Sequence, residues 1–336
     1  MKTRYAVLAL ALLAGCPNQA RNESIKSANE GSKALGAKQF DTAITAFKKA
    51  TDGFHDNHLA WYGLGAAYAQ RQEWPAAVDA FTTAAQIEPD QPMYQMWLGI
   101  AMYEKQVKVA REEEAHKQNK KVEEVQADLG SIDFGQAQQH LAKAVELNKD
   151  MWRAHYYLGK IYRAQDKPKD AATELTAAIT ANPREAGPYV ALGEIYRRWD
   201  YSDAAISVAQ QGINNVPGDT DKSDIYYVLG MGYDDKANES EAIKAFTEAL
   251  KRKRDNHLAQ FQRGQAYFRT QDFSDAKTDL EAFQKSGGAS VEFAKSQATK
   301  MLMQMTAAQN AKDHAGDKKP TPEEATKKGG FQPPKR

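Results

Sequence analysis

Between about residues 24 and 290 the chain alternates short blocks in which apolar and small residues recur at three- and four-residue spacing with polar turns that separate them. In the stretch "WYGLGAAYAQRQEWPAAVDAFTTAAQIEP", Trp61 to Pro89, Leu64, Gly65 and Tyr68 share one helical face. Ala77, Phe81 and Ala84 share a second face, and Pro89 closes the unit. This pattern predicts two helices of about a dozen residues folded back on each other. The same signs return as Leu158, Gly159, Tyr162, Ala171, Leu175, Ala178 and Pro183, and 34 residues later as Leu192, Gly193, Tyr196, Ala205 and Pro217. Seven copies can be traced, at 24–57, 58–91, 92–151 with an insertion, 152–185, 186–219, 223–256 and 257–290. Three of them depart at single positions: Gly31 has no Leu before it, Arg254 replaces the closing Pro, and Arg263 stands where Leu is expected. A core of this kind grows by stacking, so the length of the chain does not imply several globular domains.

The small residues have a physical reason. Gly65, Ala77 and their equivalents mark where the two helices of a pair approach most closely, and bulk there forces them apart. Tyr68, Tyr162, Tyr196, Tyr233 and Tyr267 fill the space beside that contact, while Phe47, Phe81 and Phe246 are placed to pack onto the following pair. Beyond Gly287-Gly288, residues 291–311 carry Val291, Ala294, Ala298, Met301, Met305 and Ala308 near helical spacing, which predicts a capping helix. Residues 312–336 are rich in Lys, Pro and Gly with one aromatic side chain, and read as a disordered tail.

Two irregularities interrupt the period. The insertion at about 104–133 pairs Lys108 with Glu112, Glu113 with Lys117 and Lys120 with Glu124 at i,i+4, and has a narrow stripe of Val122, Val125, Leu129 and Ile132. It is expected to extend both helices of the third pair into a protruding hairpin that gives protein partners a second contact besides the groove; a partly ordered charged loop is the other reading. The second irregularity, Asn214 to Asp224, adds three residues between copies five and six and is the expected hinge.

The amino terminus has a different pattern. Lys2 and Arg4 precede an apolar run from Tyr5 to Ala14 that is too short for a bilayer span and has the layout of an export signal. Cys16 is the only cysteine, so neither a disulfide within the chain nor a cysteine metal cluster accounts for it. Lys2 and Arg4 are the only charges in residues 1–15, so their removal takes the formal net charge from +1 to −1. Neither value suits general nucleic-acid binding, which needs a large cationic excess.

With these residues in view, two resemblances follow. The Trp, Leu-Gly, Tyr, Ala, Phe, Ala and Pro positions are similar to the signature of the tetratricopeptide repeat. That resemblance implies an all-α fold, a right-handed superhelical solenoid of about seven helix pairs with a C-terminal capping helix. Leu13-Ala14-Gly15-Cys16 resembles the lipobox of bacterial lipoproteins. It implies that 1–15 is a signal peptide, that Cys16 carries acyl chains, and that 16–23 is a short tether to a membrane. Together they resemble the pilot lipoproteins of type IV pilus secretins, from which this chain departs by an extra repeat, the insertion and the charged tail.

The expected function is therefore that of a lipid-anchored scaffold in the cell envelope. It faces the periplasm, from the outer membrane rather than the inner, and assembles or localises an envelope complex such as a pilus secretin or motility machinery. The alternatives are an adaptor for peptidoglycan enzymes or outer-membrane assembly, a cell-wall link through the tail, and a regulatory subunit of an enzyme. No nucleophile elbow, phosphate loop or His/Cys cluster is present, so no catalytic residue, metal, cofactor or small-molecule substrate is expected. His55 and His58 are close in sequence, but "DNHLA" recurs at Asp56 to Ala60 and at Asp255 to Ala259, where helix capping is the stronger reading.

Partner binding is expected in the concave groove, which the resemblance assigns to the first helix of each pair. At the fifth position stand Ala28, Tyr62, Met96, Tyr156, Val190, Tyr227 and Phe261, which either meet a partner or fill the joint between neighbouring helices. Lys160, Arg163, Arg197 and Arg198, followed by Asp234 and Asp235, form a charge step able to orient a peptide; a solvated face is the competing reading. Glu194 is the groove carboxylate on which an enzymatic alternative would rest.

Overall fold

A computed structural model describes residues 17–286 and 289–316. The expected signal peptide, Cys16 and residues 317–336 lie outside the described residues. Among the described residues there are fifteen α-helices and no strand. In chain order they are α1 (Pro17–Gly36), α2 (Phe40–Gly53), α3 (His58–Gln70), α4 (Trp74–Ile87), α5 (Pro92–Gln118), α6 (Gly135–Leu147), α7 (Trp152–Ala164), α8 (Pro168–Ala181), α9 (Ala186–Arg198), α10 (Ser202–Asn215), α11 (Asp219–Asp235), α12 (Glu239–Arg252), α13 (His257–Arg269), α14 (Phe273–Gln284) and α15 (Ala289–Gly316). A turn of 3-10 helix, Val122–Glu124, lies between α5 and α6. Odd-numbered helices are the first members of successive pairs and even-numbered helices the second; α15 caps the stack.

Helix spacing within a pair is set by glycine. A Cβ on Gly65 of α3 would lie 2.6 Å from Phe81 of α4, one on Gly159 of α7 2.7 Å from Leu175 of α8, and one on Gly230 of α11 2.5 Å from Phe246 of α12. These distances are below van der Waals contact, so a side chain at any of the three positions would displace a core ring or leucine. Phe47, fully buried, lies beneath both Gly31 and Gly63, so one ring of α2 locks the first pair to the second.

The turns are equally regular. Lys38, Gln72, Asp166, Asp200, Ala237 and Gln271, one in each turn from a first to a second helix, have φ of 58, 57, 54, 60, 53 and 64°. In each turn the next N–H reaches back five residues, as in Glu73 N–H to the Tyr68 carbonyl (3.0 Å) and Tyr201 N–H to the Tyr196 carbonyl (2.9 Å). This bond satisfies a helix-end carbonyl and reverses the chain. The third pair has no such turn because α5 does not stop there.

The recurring "DNHLA" is explained by hydrogen bonding. Asn57 Oδ1 accepts from Ala60 N–H at 3.1 Å, its Nδ2 donates to Ser24 Oγ at 2.8 Å, and Ser24 Oγ donates to the Ala50 carbonyl at 2.7 Å. Asn256, Ala259, Ser223 and the Ala249 carbonyl repeat the arrangement at 3.1, 2.9 and 2.9 Å. The Asn rather than the Asp caps the helix, and its amide ties three helices together in a buried site. Arg263, the departure from Leu, makes a two-pronged bridge to the buried carboxylate of Asp279, both contacts at 2.7 Å. An ion pair there substitutes for an apolar contact within the seventh pair.

Four expectations change. Residues 17–23 form the start of α1 and not an extended tether. Helix α15 begins before 291 and continues through 312–316, residues assigned to the tail. The insertion extends only the first helix: α5 runs 27 residues and ends at Asn119 in a left-handed conformation (φ 49°). Its return limb is not helical, because Asp128 and Asp133 accept from the N–H groups of Gly130 and Gly135 at 2.9 and 2.8 Å, a turn chemistry that competes with helix. Leu129 and Ile132 instead fold back onto the core formed by α5, α6 and α7. At the expected hinge the three extra residues are taken into the first turn of α11. The joint closes over buried Val216 and over Tyr189, whose hydroxyl bridges Asn215 Nδ2 (2.9 Å) and the Pro183 carbonyl (3.1 Å).

Candidate partner-binding groove

In a first helix, positions 2, 5, 9, 12 and 13 fall within a stripe about 100° wide, and this stripe faces along the array where successive first helices meet. Its chemistry changes at the end of the third repeat's first helix, where Glu104 is the first charge on it. In repeats one to three it holds Ile25, Leu59 and Met93 at position 2, spaced 34 residues apart, and these remain 44, 59 and 36% exposed. Ala66, Ala69 and half-buried Tyr62 continue the surface without any charge. Tyr62 stacks on Tyr94 with centroids 5.3 Å apart and is tilted against Phe81 at 5.8 Å. Burial raises its pKa, which keeps the hydroxyl neutral.

From repeat four onward the stripe is charged, and its charges pair across repeats. The Lys160 ammonium is 3.7 Å from Glu104 of repeat three and lies over the rings of Tyr157 (4.5 Å) and Tyr103 (4.6 Å). Only 22% of its side chain is exposed, and desolvation lowers its pKa. Tyr157 donates to the same Glu104 at 2.8 Å, and burial raises its pKa further than that of most phenols here. Arg163 donates to Glu194 of repeat five at 2.6 Å. Arg197 bridges Asp235 of repeat six with two bonds of 2.6 and 2.9 Å. Asp234 accepts from Arg269 of repeat seven.

The result is a ladder of ion pairs running from repeat three to repeat seven. The expected charge step is thereby neutralised from within: Asp234 and Asp235 face the arginines of their neighbours and not an open groove. Partly exposed pairs of this kind contribute about 0–1 kcal/mol each, and the run of them links five successive repeats. Arg198 is exposed beside Trp199, at a cavity of about 180 Å³. A second shallow cavity, of about 260 Å³, is lined by Tyr156, Lys160, Arg163, Val190, Glu194 and Asp224.

The fifth-position residues divide in two. Met96 is buried among α5, α6 and α7, and Phe261 is buried against Phe283 with ring centroids 4.8 Å apart. Both fill joints between helices and present nothing to a partner. Tyr62, Tyr156, Val190 and Tyr227 are half-buried and keep a face on the groove. The row Ile25, Leu59, Met93 escapes a reading that starts at the fifth position, and its 34-residue spacing is the signal that finds it; Tyr103 and Glu104, at positions 12 and 13 of α5, are hidden by the insertion that begins there. Among the described residues no group of three His, Cys, Asp or Glu side chains is placed to hold a metal, and no helix is long and apolar enough to cross a membrane.

The period, the paired helices and the stacking agree with the family comparison. The tetratricopeptide repeat family model matches residues 29–92, 122–186 and 227–289, more than half of the chain. The chain belongs to the tetratricopeptide repeat family. Three solved structures share the fold. A tetratricopeptide repeat protein from Parabacteroides merdae is 11% identical, with TM-score 0.55 over 85% of this chain and 99% of that one. Pseudomonas aeruginosa pilF is 12% identical, with TM-score 0.53 over 72% of this chain and 96% of that one. The anaphase-promoting complex hetero-tetramer Cut9-Hcn1 is 13% identical, with TM-score 0.56 over 85% of this chain and 53% of the matched one. No curated protein matches the sequence. As a repeat array of this family, the chain is a scaffold for protein–protein interaction.

Proposed function

We propose that this array is tethered through a lipid on Cys16 and holds a segment of an envelope protein in the groove of repeats one to three, so as to assemble or localise a membrane-associated machine such as a pilus secretin or motility complex. The observation that carries the reading is the row Ile25, Leu59, Met93, an apolar strip left open where the rest of the groove has neutralised itself. Three large apolar side chains, each 36% exposed or more, suit a partner segment with its own apolar face and few charges. Helix α1 starting at Pro17 supports the anchored geometry, since residues 17–23 as helix rise only about 10 Å and would hold the first repeat close to lipid.

The test uses the exported, full-length chain. Leu59→Asp with Met93→Asp should reduce co-purification of the retained envelope partner about tenfold or more while leaving the helical content unchanged. Loss confined instead to Arg163→Glu with Arg197→Glu would move recognition to the charged half and overturn this placement. For the anchor, globomycin or Cys16→Ser should shift the protein from the membrane to the soluble fraction; unchanged processing and partition would contradict it.

A further inference from the structure

A solenoid is stitched by near neighbours, and this one follows the rule with one exception. Every other substantial contact between helices joins elements no more than two apart in chain order, but α15, at the end of the stack, touches the 3-10 turn Val122–Glu124 of repeat three. Two overlong helices make that contact. Most first helices stop after 13 residues, whereas α5 has 27 and α15 has 28. Aligned on the repeat, α5 continues past Glu104 to Gln118 and α15 past Met303 to Gly316, so each overruns the same edge of the array by about 20 Å. The α15 overhang packs in part on the stack, with Met305 buried. The α5 overhang is not a bare solvated rod either: Val107, Ala115 and Val125 on it and its return limb are each less than a tenth exposed.

We propose that this contact is a latch. It closes repeats three to seven and the cap into a ring, fixes the curvature of the concave face between them, and must open for that face to widen. The part of α15 up to Asn310 is occupied along α14, where Phe273, Ser274 and Lys277 meet Leu302, Thr306 and Asn310 around one cavity. The latch is assigned to the turns of α15 that follow this packed part. The ring encloses the ion-pair ladder and the cavity at Tyr156, Glu194 and Asp224, and leaves the apolar row of repeats one and two outside. The latch concerns the shape of the array alone and stands whether or not the groove reading holds.

Spin labels on Glu112→Cys and Lys300→Cys, in a Cys16→Ser chain, measure the span of the latch by pulsed electron resonance. The full chain should give one narrow distance distribution. A chain stopped after Asn310, which retains the packed part of the cap, should shift outward by at least about 5 Å, one helical turn, and broaden. Superimposable distributions for the two chains, or a broad distribution in the full chain, would overturn the latch. Ala311→Pro, which breaks the last turns without shortening the chain, should reproduce the truncation; a distribution unchanged from the full chain would count equally against it.

Discussion

Single residues carry much of the order in this array through bonds that are buried and have no substitute. Asn57 caps α3 and ties Ser24 to the Ala50 carbonyl, so Asn57→Ala removes a cap and leaves Ser24 without its donor. The expected loss is about 2 kcal/mol, read as a lower denaturant midpoint, and Asn256→Ala should behave alike because it repeats the same network. His155 offers a pH-dependent counterpart. Its Nδ1 lies 2.6 Å from Glu174 and its Nε2 lies 3.0 Å from the Lys149 carbonyl, so both nitrogens face acceptors and the imidazolium is favoured. The Glu174 bond, opposed by burial, raises its pKa above the ordinary value of about 6.5. A raised pKa stabilises the fold fully below the unfolded value and loses that contribution as pH climbs through the folded one. The stability difference between the native chain and His155→Gln should thus be largest near pH 5–6 and shrink toward pH 8. His140, whose pKa is lowered first by burial, acts in the opposite direction but is common to both chains and cancels. A difference that is flat with pH would show that His155 is held neutral.

At the scale of elements, the paired helices depend on close approach. Gly99 is the most demanding position, since an added Cβ would lie 2.9 Å from the backbone carbonyl of Ala137 as well as 2.7 Å from Leu141. A leucine can turn aside, but a backbone carbonyl on a packed helix cannot. Gly99→Ala should therefore cost about 2 kcal/mol, against about 1 kcal/mol or less for Gly36→Ala, which meets nothing within 4 Å. Melting of the two variants side by side checks this.

Much of this level was legible in the sequence, because a 34-residue period repeats its own evidence: the Leu-Gly-Tyr and Ala-Phe-Ala spacings locate the helix pairs, and the glycines the contact between them. The insertion was legible only in its first half. Charge pairs such as Lys108 and Glu112, 3.9 Å apart, support a helix wherever they fall, but the Asx turns at Asp128 and Asp133 override the apolar stripe that follows. The groove was legible by position and not by state. Sequence places Arg163, Arg197 and Asp235 on one stripe, yet only coordinates show that each is already matched by a neighbour.

For the whole molecule, the two halves of the groove have different roles. The ladder from Glu104 to Arg269 spends its charges on linking successive repeats, and the latch from α15 to the 3-10 turn closes the same region. Repeats one and two lie outside that ring, next to the end of the chain that carries Cys16, and present Ile25, Leu59 and Tyr62 without competing partners of opposite charge. Under the proposed anchoring, a scaffold built this way keeps one end rigid and would offer the other to an apolar segment of its partner. The most direct test is photo-crosslinking in intact cells, with a benzophenone side chain placed singly at Leu59, at Met93 and at Leu147, an exposed leucine on the second helix α6. A discrete adduct with the same envelope protein from Leu59 and Met93, and none from Leu147, is the predicted result; adducts from Leu147 alone, or equally from all three, would contradict it.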